Sequence, residues 1–170
     1  IPDLKDVHNI SLIVENDGIS VKNLPNSSTQ ATIALACPDQ VESLSTKYGF
    51  HVDSVVAGRG FHWEKRIVVD LPGKLDISIQ DGSLKVINFV NVEAYVACVA
   101  TSEMGSEAPS DLLAAQTVVA RCWSLALAEA KHLADGYDVC NDDCCQRYQG
   151  TTYLTTHSLK AAIETRGEVL

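Results

Sequence analysis

Glu103 sits near the start of "SEMGSEAP", at the end of a run of small apolar residues, "VACVAT". A carboxyl in such a place can do acid/base work. The apolar stripe, the negative end of a helix dipole and the neighbouring Glu107 all favour its neutral form, which can give a proton to a leaving oxygen and later take one back. The same pattern fits a solvated carboxylate at a helix end, or the acidic half of an ion pair with Arg121. Residue pattern alone leaves both readings open.

Downstream, Gln116 and Arg121 are polar residues inside an otherwise apolar sequence. They suit either substrate contact or the satisfaction of buried polar groups. A third group lies in "HLADGYDVCNDDCCQRYQG", where Cys140, Cys144 and Cys145 offer three soft ligands just after His132. That set is enough for a tetrahedral Zn²⁺ site, with His132, Asp135 or a water as the fourth ligand. The competing reading is a disulfide from Cys140 to Cys144 or Cys145 with one thiol left over. Cys37, Cys98 and Cys122 stand singly among apolar residues, as small buried hydrophobes do.

The elements that must position these groups are legible in the spacing. Residues 1 to 90 carry short β-type runs divided by turn residues. Asp17-Gly18 and Asp81-Gly82 each separate two apolar runs and signal hairpins, with Leu75, Ile77, Ile79, Leu84 and Val86 alternating towards a buried face. "FHVDSVVAG" and "KRIVVDL" read as further strands, and "PDQVESLSTKYG" as a short helix ending at Gly49. From 91 onward the texture is helical. Asn91 caps a first helix whose stripe of Val92, Tyr95, Val96, Val99 and Ala100 continues to Glu103, and Met104-Gly105 stops it. A second helix opens at Ser110, runs to about His132 and is apolar on most sides, so it should be the central one. Residues 134 to 153 form a loop, and "SLKAAIETRGEVL" starts as a helix that breaks at Gly167. The expectation is an α+β fold over residues 1–170, with a β-rich part (1–90) packed on two main helices of a helical part (91–170) and a loop pinned by metal.

Composition narrows the partner. With 170 residues, 46% of them hydrophobic, the chain can bury a sizeable core. A net charge of −9 speaks against a nucleic-acid backbone as ligand and suits a neutral or weakly charged polymer. No apolar run approaches the ~20 residues needed to span a bilayer.

Several motifs occur together: Ser102-Glu103-Met104, Ala115-Gln116 followed by Ala120-Arg121, Cys145-Gln146-x-Tyr148-x-Gly150 and Thr165-x-Gly167. In that order they resemble the stage II sporulation protein D family, peptidoglycan lytic transglycosylases that include amidase enhancers. The likeness covers about residues 55 to 170. It implies that Glu103 is the catalytic acid/base, cleaving the bond between N-acetylmuramic acid and N-acetylglucosamine in glycan strands stripped of stem peptides. One carboxyl then suffices, because the sugar's own 6-hydroxyl attacks and closes a 1,6-anhydro ring. Ser102, Gln116, Arg121, Gln146 and Tyr148 are the candidates for orientation and sugar contact. The groove is expected between the end of the first helix and the loop bearing Gln146 and Tyr148.

The resemblance further implies a zinc site, an extracytoplasmic setting in the cell envelope or outside it, and an N-acetylmuramoyl-L-alanine amidase as partner. Cys140 and Cys145 match the family's ligands, and Cys144 stands where the family usually has a His. The family's upstream His falls on Ala134, so that ligand is displaced to His132 or Asp135 or is absent. Gly105 replaces the usual Pro after Ser-Glu-Met, which should loosen the loop beside Glu103. Cys122-Trp123 replaces Thr-Tyr and removes a hydroxyl. The family normally continues past Leu170 with a strand and a Ser/Gly-rich segment, so a domain shortened at its C-terminus is expected.

Overall fold

The fold is taken from a computed structural model that describes residues 11–15, 18–22, 29–30, 32–126 and 131–170. It is α+β, as expected, and divides into two compact units: residues 1–35 with Lys74–Phe89, and Ala36–Gly73 with Val90–Leu170. The change of texture at residue 90 thus marks where the helices begin. The helical unit also takes up the segment from 36 to 73.

The described residues of the first unit form two sheets. Strands β1 (Ser11–Glu15), β2 (Gly18–Lys22) and β3 (Thr29–Gln30) form one sheet, while β4 (Thr32–Ala36), β7 (Lys74–Gln80) and β8 (Ser83–Phe89) form another with β7 in the middle. The first expected hairpin is present as β1–β2, but Gly18, expected in the turn with Asp17, pairs with Glu15 as the first residue of β2, and Asp17 lies outside the described residues. The second hairpin is fully described: Gln80 faces Ser83, and both turn residues have positive φ, Asp81 at 52° and Gly82 at 72°. That is the mirror-image two-residue turn whose twist matches the strands, and Asp-Gly is the pair that tolerates it. Leu75 and Ile77 on β7 are buried as the alternation requires. Leu84 and Val86 on β8 are exposed instead, because β8 is an edge strand, with a neighbour on one side only among the described residues.

In the second unit β5 (Phe50–Ala57) pairs antiparallel with β6 (Lys65–Leu71), with a register shift between Val52 and Val55. The short helix expected near 41–48 is only a single 3-10 turn, Val41–Ser43. Among the described residues three α-helices complete the unit and pack on one another: α1 (Val92–Met104), α2 (Ser110–Ala126) and α3 (Thr156–Glu164). The Asn91 side chain caps α1 by accepting from the Glu93 N–H at 2.9 Å, and Thr155 with Ser158 forms a reciprocal capping box on α3. Past Ala126, residues 127–130 lie outside the described ones and 131–132 form a turn, so the described helix is shorter than the one expected to reach His132.

Which helix is central is the reverse of the expectation. Every residue of α1 from Glu93 to Ser102 is buried, whereas α2 leaves Leu112, Val119 and Leu125 exposed. The reason is side-chain size. Ala94, Ala97, Cys98 and Ala100 let α2 and α3 approach α1 closely, and Ala100, Leu113 and Ala161 form one cluster from all three helices. A helix of small residues can be enclosed without a strong apolar stripe.

Candidate functional site

Glu103 occupies the last turn of α1, where the helix emerges from the interior. Ser102, one residue earlier, is buried; Glu103 is exposed. The apolar shielding expected of its stripe is therefore not there, since Tyr95, Val96 and Val99 face the interior and the helix end does not. Glu103 Oε1 accepts a 2.7 Å hydrogen bond from the backbone N–H of Arg147. The helix then stops at Gly105, which has φ 89° and ψ 156° and donates its N–H to Thr101 O. A proline, with φ fixed near −65°, cannot take that conformation. The departure from the motif at this position therefore sets the path of the backbone out of the helix.

The segment that meets Glu103 is extended, and its side chains alternate. Gln146, Tyr148 and Gly150 are buried, while Cys145, Arg147 and Gln149 lie nearer the surface. Tyr95 Oη donates to Gln146 Oε1 at 2.9 Å, and the Tyr95 and Tyr148 rings lie 5.1 Å apart. Burial pushes both phenols well above their ordinary range, so Tyr95 stays a neutral donor. Gly150 is required by close approach: it makes a parallel bridge with Asp70, and a Cβ would come within 2.0 Å of the Asp70 carbonyl. Ser102 Oγ donates to Cys98 O at 2.8 Å and accepts the Gln149 N–H at 3.3 Å, fastening the same segment to α1. Ser102, Gln146 and Tyr148 thus support the backbone that holds Glu103, and what this segment turns outward is Arg147.

Arg121 goes elsewhere. It is 1% exposed, and its Nε and Nη2 bind Glu93 Oε1 and Oε2 at 3.1 and 2.5 Å, with Nη1 on the Glu168 carbonyl at 3.1 Å. The ion pair expected between Arg121 and Glu103 is therefore not formed: Glu93, which the sequence did not suggest for this role, takes Arg121. Gln116 is half-buried on α2.

Sequence reasoning did not single out Arg147, Trp63 or Asp142. The Arg147 guanidinium lies 5.3 Å from the centroid of the Trp63 ring, and its Nη2 is 3.3 Å from Asp143. Trp63 belongs to the β5–β6 connection and packs over Gly58, where a Cβ would come within 2.3 Å of the indole. Asp142 clamps that connection to the Cys-rich loop: Oδ1 accepts from the Gly58 N–H at 3.0 Å and Oδ2 from the Arg59 N–H at 2.8 Å. Burial works against the charged form of Asp142. The N–H donors of Arg59, Asp143 and Gly58 outweigh it and hold the carboxyl below the usual range. The Arg147–Trp63 contact and the bonds from Gly58 and Arg59 to Asp142 each span some 80 residues of chain, so no local pattern announces them.

The predicted metal ligands do converge. One donor atom from each of His132, Cys140, Cys144 and Cys145 lies within 4.8 Å of the others, a group that could hold a metal ion. Cys144 Sγ is 2.9 Å from Cys140 Sγ and 3.6 Å from His132 Nε2. The other ring nitrogen, Nδ1, faces Asp135 at 3.5 Å. Of the two residues, it is His132 whose ring nitrogen joins the group, and Asp135 lies behind the ring. The Asp142 N–H points at Cys140 Sγ, 3.4 Å away, as backbone donors do around metal-bound sulfur. All six cysteines are free thiols. Cys98 is the expected buried hydrophobe, and desolvation drives its thiol upward; Cys37 and Cys122 are half-buried.

A family model described as SpoIID, stage II sporulation protein, matches residues 80–170, a little over half of the chain. No curated protein and no solved structure matches. No helix among the described residues is long and apolar enough to cross a membrane.

Proposed function

This chain belongs to the stage II sporulation protein family SpoIID, and on that premise we propose that it is a lytic transglycosylase of the bacterial cell wall. Membership carries a sporulation-related cell-wall function. The finer reading is that Glu103 cleaves the bond between N-acetylmuramic acid and N-acetylglucosamine in denuded glycan. The observation that supports it most is the exposed Glu103 carboxyl at the end of a buried helix, held through one oxygen by the Arg147 N–H.

The chemistry follows from that arrangement. With Oε1 held by the Arg147 N–H, Oε2 is the oxygen left to carry and transfer a proton. Glu103 gives the proton to the glycosidic oxygen as the C1–O bond breaks. The carboxylate so formed takes the proton of the muramic 6-hydroxyl as that oxygen bonds to C1, which closes the 1,6-anhydro ring and returns Glu103 to its starting state. Water takes no part, so a second carboxylate to activate it is unnecessary. Ser102, Gln146 and Tyr148 position the segment carrying Arg147. Arg121 acts through the helix interior, and Gln116 remains a candidate for contact with sugar.

His132, Cys140, Cys144 and Cys145 would hold Zn²⁺. A complete set of three thiolates and one imidazole is a structural site, and its contribution is to pin the loop that delivers Arg147. The proposed setting is extracytoplasmic, at the cell envelope, with glycan strands as substrate and an N-acetylmuramoyl-L-alanine amidase as partner. The test is incubation of the protein with denuded glycan strands and mass analysis of the products. Ends in 1,6-anhydro-N-acetylmuramic acid that vanish in Glu103→Gln support the proposal. Reducing ends would make the protein a hydrolase, and binding without cleavage would make it a glycan-binding module.

A further inference from the structure

The β5–β6 connection, "GRGFHWE", is rigid and yet presents aromatic surface. Phe61 N–H donates to Gly58 O at 2.9 Å, Glu64 N–H to Phe61 O at 3.0 Å, and Gly60 N–H to Glu64 Oε2 at 2.8 Å, while Asp142 holds the Gly58 and Arg59 amides. On this frame Phe61 and Trp63 stack nearly parallel, centroids 5.7 Å apart and planes 19° from each other, with Phe61 half exposed. A free loop would fold such rings away from water. Here the hydrogen bonds hold the loop with Phe61 outward beside the partly buried Trp63, and exposed apolar surface held in place marks an interaction site.

Its position gives the occupant. Trp63 carries the Arg147 guanidinium at 5.3 Å, and the backbone N–H of that same residue holds Glu103. One residue therefore joins the aromatic pair to the proposed acid/base. A pyranose ring offers a face of C–H bonds, polarised positive, to the negative face of an aromatic ring, and hydroxyl groups at its edge to an arginine. We infer that Phe61 and Trp63 form a stacking platform for a sugar ring of the glycan strand, with Arg147 as the hydrogen-bonding edge, adjoining the residue to be cleaved. Binding energy gained there would be spent on aligning the scissile bond with Glu103. This rests on the reading of Glu103 given above, and it names specificity residues for that site that the motifs do not contain.

The chain has two tryptophans, Trp63 and Trp123, so in a Trp123→Phe background the emission comes from Trp63. The probe is a peptide-free tetrasaccharide of alternating N-acetylglucosamine and N-acetylmuramic acid, titrated into the full chain carrying Glu103→Gln to prevent turnover. The expected result is a saturable change in Trp63 emission. Phe61→Ala, an exposed change that spares the loop frame, weakens binding about tenfold, and so does Trp63→Ala, whereas Trp63→Phe retains most of it. Calorimetry gives the same constants for variants without the reporter. If the tetrasaccharide binds this way while the native protein yields no anhydro ends, the platform stands and the transglycosylase reading falls. Saturable binding that leaves Trp63 emission and the Phe61→Ala affinity unchanged overturns the platform, as does binding that requires a stem peptide on the sugar.

Discussion

Two glutamates on α1, ten residues apart in sequence, sit in opposite circumstances. Glu93 near the N-terminal end is buried, with both oxygens taken by the Arg121 guanidinium. Glu103 at the C-terminal end is exposed, and its one hydrogen bond among the described residues comes from a backbone amide. A carboxylate buried with both oxygens on a guanidinium is not placed to trade protons with a substrate. One held by a single amide keeps an oxygen for chemistry and is fixed in place. The same helix is thus anchored in the interior from 93 to 102 and leaves a carboxyl oxygen open at its exposed end.

The strongest way to stress this contrast is through the loop that grips Glu103. Zn²⁺ bound by three thiolates and an imidazole would contribute on the order of 10 kcal/mol. Chelation should release residues 131–149, read as loss of amide protection there, while the α1–α2–α3 interior stays protected. Burial raises the Cys140 and Cys145 thiols, Cys140 further through its contact with Cys144, and metal binding must displace those protons. Metal content measured after dialysis should accordingly fall as pH is lowered. Metal analysis of Cys145→Ser, with lowered content expected, checks the ligand assignment.

At the buried end, Arg121→Leu leaves Glu93 as an uncompensated charge and should destabilise by about 3–5 kcal/mol. Denaturant unfolding measures it. Replacing both residues, as Glu93→Met with Arg121→Leu, should restore much of the loss. Gly105→Ala meets no atom but must adopt a positive φ, so it should cost about 1–3 kcal/mol and reduce turnover with it, because the exit from α1 adjoins Glu103.

Asp142→Asn should have the smallest effect, about 1 kcal/mol at neutral pH. The sign with pH is fixed by the lowered folded pKa. The stability Asp142 lends is complete above the unfolded pKa of an aspartate, about 4, and is lost as pH falls through the lower folded value. The variant should therefore show a shallower acid limb in its melting temperature.

The chain of residues from Asn91 to Glu103 illustrates what spacing can and cannot convey. The Asn91 cap, the stop at Gly105, the Asp81-Gly82 turn and the cluster of His132 with Cys140, Cys144 and Cys145 all depend on neighbours in sequence, and each was readable. The order of burial of α1 and α2 was not, since small residues permit close packing without stating what packs against them. The motif Cys145-Gln146-x-Tyr148-x-Gly150 was informative in an unexpected sense. Its named residues Gln146, Tyr148 and Gly150 are the inward-facing half of an extended segment, and the unnamed position between the first two, Arg147, is the one that meets Glu103. Trp63 and Asp142 reach this place through contacts that only the folded chain creates.

The central claim is that Glu103 serves chemistry and Glu93 serves the fold. It is tested most directly by the yield of anhydro ends per folded molecule from denuded glycan, compared between the native chain and Glu103→Gln. The account predicts a fall of about 10²–10⁴-fold with the melting temperature unchanged, because a glutamine oxygen still accepts the Arg147 N–H. Undiminished yield, or a loss that appears only together with unfolding, would contradict it.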